Sequence, residues 1–132
     1  MSWPRVQGMR SLAFATPGPF RTELNGLVLS GSKMATTGLL SEYDQEGEDI
    51  EHVGERLAVV NDADEYVATV EVTDVRVCRF DEVPLSHAVA EGEGWDSVAQ
   101  WRGDHQDYFD GLGVEVFGDT VVVCMAFRLI NS

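Results

Sequence analysis

The chain has 132 residues, 44% of them hydrophobic and 24% charged, which suits one globular domain whose core needs no metal or disulfide staple. Nine basic against 23 acidic residues give a net charge of −14, so the mean surface field disfavours a protein that gains its affinity by neutralising long nucleic acids. No apolar run approaches the roughly 20 residues that span a bilayer, and no cleavable apolar leader follows Met1-Ser2-Trp3-Pro4-Arg5, so the expected location is cytoplasmic, with no membrane partner.

In chain order, residues 1–19 carry Pro4, Pro17, Gly18 and Pro19 and read as an irregular N-terminal arm without a core of its own. From Phe20 to Ser30, Phe20, Leu24, Leu27 and Val28 recur at helical spacing, and Gly31 stands where a helix would end. Thr36 to Leu40 suits a short strand. Glu42 to Glu51 then holds six carboxylates and no base, which reads as a solvated loop; the register of a calcium loop is missing. Three strands are predicted at Arg56–Asn61, Tyr66–Phe80 and Thr120–Ile130, the first two joined by the turn-forming Asn61-Asp62-Ala63-Asp64. Alternation of Val67, Thr69, Glu71 and Thr73 with Ala68, Val70, Val72 and Asp74 implies a sheet with one buried face. Cys78 and Cys124 fall in these apolar runs without CxxC spacing and read as reduced core thiols.

Asp81-Glu82 caps a predicted short helix through Ala90, which Glu91-Gly92-Glu93-Gly94 breaks. A second helix runs from the N-cap Asp96 to about Phe109 or Leu112, with Val98, Trp101, His105 and Tyr108 on one stripe and Gly111 and Gly113 at its end. Strands around a helical insertion, preceded by a helix, predict an α+β fold, a small mixed barrel.

The chemistry concentrates in two stretches. Gly31-Ser32-Lys33-Met34-Ala35-Thr36 supplies a lysine and a hydroxyl, and Glu91-Gly92 supplies a carboxylate beside glycine. A threonine hydroxyl is a poor nucleophile without a base. Lys33 serves if a cleft desolvates it; alternatively Glu91 activates water while Lys33 stabilises an oxyanion. Taken alone, each has a plainer reading: Lys33 as a solvated charge, Thr36 as a strand residue, Glu91 as a loop residue. His105 on an amphipathic stripe is more often packed than ligating, and no second His or Cys stands at metal spacing, so neither metal nor organic cofactor is expected. His52 and His87 read as exposed or structural, Trp95 and Trp101 as core or cleft wall. Arg102 either pairs internally with an acid or reaches a ligand. Arg5, Arg10, Arg21, Lys33 and Arg102 would form a basic patch only if the fold gathered them.

The run Leu27-Val28-Leu29-Ser30-Gly31-Ser32-Lys33-Met34-Ala35-Thr36 resembles the G-x-K-x-x-T signature of ASCH domains, relatives of PUA domains. Val53-Gly54, Val70-Glu71-Val72-Thr73-Asp74-Val75, Phe80-Asp81-Glu82-Val83, Ala90-Glu91-Gly92-Glu93-Gly94 and Trp101-Arg102-Gly103-Asp104-His105 with Tyr108-Phe109 follow in the family's order. The resemblance covers about Phe20 to Leu129 and implies an ASCH domain over residues 20–132. The implied fold is a PUA-like mixed β-barrel whose flanking helices cover a cleft. It implies a modified nucleoside or nucleotide-like small-molecule ligand and, by likeness to small bacterial N4-acetylcytidine amidohydrolases, a catalytic set at Lys33, Thr36 and Glu91. Thr37, Trp95, Trp101, Arg102 and His105 are the expected substrate-binding residues. Gly38 stands where the amidohydrolase branch carries an arginine, and the Trp101–His105 block is similar to a different branch. The alternative function is a non-catalytic RNA-binding module in translation or transcription, or a ribonuclease.

Overall fold

The computed structural model describes residues 2–132. In chain order it comprises β1 (Arg5–Val6), β2 (Met9–Leu12), α1 (Pro19–Leu29), β3 (Ala35–Leu39), α2 (Leu40–Glu46), β4 (Arg56–Val60), β5 (Tyr66–Arg79), a 3-10 turn (Phe80–Glu82), α3 (Leu85–Ala90), α4 (Val98–Gly111) and β6 (Val121–Asn131). The strands form one six-stranded sheet in the order β1-β2-β4-β5-β6-β3. Only β2 and β4 pair in parallel. The α+β class is as predicted, but the sheet is open where a barrel was expected. β1 and β3 remain edges with no hydrogen bonds between them, and β3 turns its other side to α3, whose last residue accepts Met34 N–H through the Ala90 carbonyl at 2.8 Å.

Each face of the sheet carries a core. On one, α1 places Leu24 and Val28 against Leu57, Val59, Ala68, Val70, Val72, Met125 and Phe127. On the other, α3 and α4 bring Ala88, Trp101 and Phe109 onto Leu39, Phe80, Val83, Val122 and Cys124. Period-two alternation assigns β6 to both faces: Val122 and Cys124 go to the second core, Met125 and Phe127 to the first. Burying a side chain of Leu or Phe size contributes about 1.5–3 kcal/mol, so both layers add to stability.

β5 needs a correction of register to serve both cores. A shift in its pairing with β6 falls between Val72 and Asp74, a bulge that leaves Thr73 and Asp74 exposed. Strict alternation would have sent Asp74 into the first core. The extra residue sends Val75 there and Cys78 to the second. Neither cysteine is bridged, and burial pushes the Cys124 thiol up to about 12.

Three further expectations change. The expected irregular arm over 1–19 is structured in its described part (Met1 lies outside the described residues): β1 and β2 form a hairpin, β2 adds to β4, and Phe14 lies in the first core. Polar Arg10 and Ser11 concealed that strand, because its packing partners are distant in sequence. The acidic run is not a solvated loop: its first half is α2, Glu48 pairs with Arg5 at 2.9 Å, and buried Glu51 accepts the Tyr43 hydroxyl at 2.8 Å. The Arg5 guanidinium holds the Glu48 carboxyl down at about 2. The helix expected from Asp81 is broken at Pro84 into the 3-10 turn and α3. α4 is capped by Ser97, whose Oγ accepts Gln100 N–H at 3.1 Å, not by Asp96.

Candidate functional site

The two chemically rich stretches are pressed together backbone to backbone. α1 ends at Leu29, and the Ser32 and Lys33 amides both return to the Leu27 carbonyl, at 2.9 and 3.0 Å, with Gly31 at φ 82°. That closure turns the chain from α1 towards β3. Opposite it, α3 ends at Ala90 and Gly92 adopts φ 73°. A Cβ on Gly92 would collide with the Ser32 carbonyl, so only glycine permits this approach.

The junction buries Lys33 and Glu91, each 2% exposed. The Lys33 ammonium donates to Glu93 Oε2 at 3.0 Å and to the Glu91 carbonyl at 3.3 Å, lies 3.7 Å from Glu91 Oε1, and sits 5.3 Å from the Phe14 ring centroid. A buried ammonium demands such pairing, because an unpaired one would forfeit its hydration without replacement. Glu91 Oε2 is the hub. It accepts the Trp101 indole N–H at 2.5 Å and the Thr37 hydroxyl at 3.2 Å. His87 Nε2 is 3.6 Å away and His105 Nε2 is 3.8 Å away. His87 Nε2 also meets the Thr37 hydroxyl at 2.8 Å; since that hydroxyl donates to Glu91, the imidazole donates to it. Burial lowers the pKa of both histidines.

His105 is fixed by its surroundings. Its Nδ1 lies 2.9 Å from the Trp101 carbonyl, which can only accept, so Nδ1 carries the proton. Its ring stacks at 4.1 Å from Trp101 and 5.0 Å from Trp95, centroid to centroid. Trp95 donates its indole N–H to Asp104 at 2.7 Å.

These groups line a cleft of about 880 Å³, within the usual range for small-ligand sites. Lys33, Thr36, Thr37, Glu91, Glu93, Trp95 and His105 all contribute to its wall, as do Ser11 and Leu12 of β2 and the aromatic side chains Phe14, Tyr43 and Tyr108. Thr36 and Thr37 are successive residues of β3 and project from opposite faces. Thr37 is the one bonded to Glu91; no hydrogen bond ties the Thr36 hydroxyl to Lys33 or Glu91.

Two of the expected binding residues lie outside the cleft wall. Trp101 is fully buried and acts through Glu91 without reaching the cleft. Arg102 lies outside the wall and donates through Nη2 to the Asp81 carbonyl at 2.6 Å, while its buried Nε has no hydrogen-bond partner. The basic patch does not form either. Arg5 pairs with Glu48, Arg10 with Glu55 at 3.2 Å, and Arg21 donates to the Phe14 and Ala15 carbonyls. Among the described residues, Lys33 is therefore the one lysine or arginine in the cleft wall, against seven carboxylates. No cluster of His, Cys, Asp and Glu suited to a metal occurs among them, and no helix is long and apolar enough to cross a membrane.

Sequence reading missed Glu93, His87 and Phe14. Glu93 was visible in the same glycine-flanked turn as Glu91, and His87 stands four residues before Glu91, one turn back along α3. Phe14 left no sequence signal, since its role depends on α1 folding over it.

The model of the ASCH domain family matches residues 11–131. An ASCH domain from Lactobacillus crispatus JV V101 is 28% identical and superimposes with a TM-score of 0.77 over 94% of this chain and 82% of its own. A protein from Enterococcus faecalis V583, 23% identical, gives 0.77 over 90% and 74%. A variant of an ASCH protein from Zymomonas mobilis, 12% identical, shares the fold at 0.54 over 83% and 70%. No curated protein matches in sequence. With the signature lysine and the glycine-flanked glutamate meeting at the floor of one cleft, the chain belongs to the ASCH domain family.

Proposed function

We propose that the cleft binds a modified nucleoside without phosphate and hydrolyses an N-acyl amide on it, as in N4-acetylcytidine. The observation that carries this reading is the buried Lys33 ammonium, held by Glu93 and Glu91 in the wall of a ligand-sized cleft. An ammonium fixed in a dry site stabilises the oxyanion that forms when an acyl carbon is attacked, and it needs no reorganisation to do so. Glu91, anchored by Trp101 and Thr37, keeps the ammonium in place. Thr36 offers a hydroxyl to the same space for orienting the ligand or the attacking water. Of the two schemes open at the level of sequence, the one with Lys33 as oxyanion donor fits better, because the ammonium donates two hydrogen bonds and so has no lone pair to take the Thr36 proton, while its third N–H remains for an oxyanion.

Charge defines the ligand class. A phosphate would meet seven carboxylates and a single cation, Lys33, whereas an uncharged base and sugar suit aromatic walls with scattered hydrogen-bonding groups. The experiment is turnover of N4-acetylcytidine followed by release of cytidine, with Lys33→Ala, Thr36→Ala and Glu91→Gln alongside. The expected result is hydrolysis by the native protein and a loss of roughly 100-fold or more for Lys33→Ala. Full activity in all three variants, or none in the native protein, ends the hydrolase reading. Tight RNA binding at low salt that collapses as salt rises would replace it with the RNA-binding module.

A further inference from the structure

We propose that His105 is the general base of this cleft, its Nε2 taking the proton from the water that attacks the acyl carbon. The inference rests on the amide-hydrolysis reading and supplies the group that reading lacks. Lys33 is committed to Glu93 and to the Glu91 carbonyl. Glu91 Oε2 is already engaged by the Trp101 indole and the Thr37 hydroxyl, which occupy the oxygen that would have to take the proton. His87 bonds Thr37 and is not part of the cleft wall. His105 has a free ring nitrogen and is part of that wall.

The tautomer is the decisive detail. With Nδ1–H given to the Trp101 carbonyl at 2.9 Å, the neutral ring keeps its lone pair on Nε2, on the side of Glu91 Oε2 at 3.8 Å. Two acceptors facing each other at that distance are mismatched until a proton arrives between them. Protonation at Nε2 turns the mismatch into an ion pair, so the positive charge formed in the transition state meets a fixed carboxylate. Burial keeps the resting ring neutral by lowering its pKa. The charged groups around it divide: Glu93 and Asp104 favour the imidazolium, as does Glu91 by its position, while Lys33 opposes it. Trp95, Trp101 and Phe109 pack its faces and contribute no charge.

The step balances. Water oxygen bonds to the acyl carbon, the carbonyl electron pair moves to oxygen beside Lys33, and the water proton passes to Nε2. Collapse of the adduct breaks the carbon–nitrogen bond, and the departing nitrogen recovers the proton from His105. The products are the carboxylic acid and the free amine, with no further reactant.

The test measures N4-acetylcytidine hydrolysis against pH for the native protein and His105→Gln, with nucleoside affinity measured separately by calorimetry. Nitrogen-15 NMR of the native protein reads the tautomer. We expect an acid limb in kcat/KM with a midpoint below the ordinary histidine value of 6.5. His105→Gln should lose roughly 100–10,000-fold in kcat and abolish that limb, with affinity within about threefold of native. Native NMR should show the neutral Nδ1–H form at pH 7. An active native protein whose His105→Gln variant keeps its kcat within about fivefold overturns the base role alone, as does an Nε2–H tautomer, which stands even if the variant fails to fold. A native protein inactive on the acetylated nucleoside overturns the hydrolase reading and the base role with it.

Discussion

Glu91 shows how one buried carboxylate organises a site. Its oxygens gather an indole N–H, a threonine hydroxyl and an ammonium, and two imidazoles lie within 4 Å of it. Removing one member leaves the others buried and unsatisfied, which costs more than the interaction itself contributes. Lys33→Met retains most of the volume but leaves Glu91 and Glu93 facing each other without a cation. We expect a loss of about 3–5 kcal/mol in urea-induced unfolding. Trp101→Phe keeps an aromatic ring against Phe80 and His105 but deletes the donor and leaves part of the buried indole volume empty, so its cost should be at least about 1.5–3 kcal/mol. Glu93→Gln removes a carboxylate that favours protonated His105. Its effect on the His105 titration, followed by NMR, is therefore a further fall in the midpoint.

At the scale of elements, the site is a splice between the end of α1, the start of β3 and the end of α3. The Gly92 contact with Ser32 and the Met34 amide on Ala90 hold that splice closed. Gly92→Ala must force the two turns apart, and we expect about 3 kcal/mol of destabilisation with loss of ligand binding, measured by thermal unfolding and calorimetry. The helices bearing His87 and His105 also set a pH response. Both histidines have folded pKa values below 6.5 because burial disfavours their charge. The unfolded chain therefore binds more protons as pH drops through 6.5, and stability falls on acidification from that point towards the lower folded values. Denaturation midpoints recorded from pH 8 to 5 should decline over that window, and replacing His87 with Gln should flatten the decline.

For the whole molecule, the charge of −14 is not spread evenly in its consequences. Arginines are spent on tying β1, β2 and the loop before β4 to acids, and on holding main-chain carbonyls. None is left for the cleft wall. Nucleoside affinity should change little between low and physiological salt, since no phosphate neutralisation contributes, and gel-shift assays with single-stranded RNA should show no salt-sensitive complex.

Four strands, the first helix and the glycine turns were legible because they are local: apolar spacing and glycines at the breaks encode them directly. Lys33 and Glu91 were legible as a pair through the likeness of their flanking blocks to a family, and not through any rule of spacing. Invisible in the sequence were β2, the bulge at Thr73, the open edge of the sheet and the company that Glu91 keeps. Each depends on a partner dozens of residues away. Thr37 meets Glu91 across 54 positions, and Lys33 meets Glu93 across 60. The sequence by itself determined the family, one buried face of the sheet and the shortage of cations. Only the tertiary structure decided that the sheet carries a core on each face, that Thr37 bonds Glu91, that Arg102 turns away, and that His105 lines the cleft. Burial and hydrogen-bond partners select those roles, and both exist only after the chain has closed on itself.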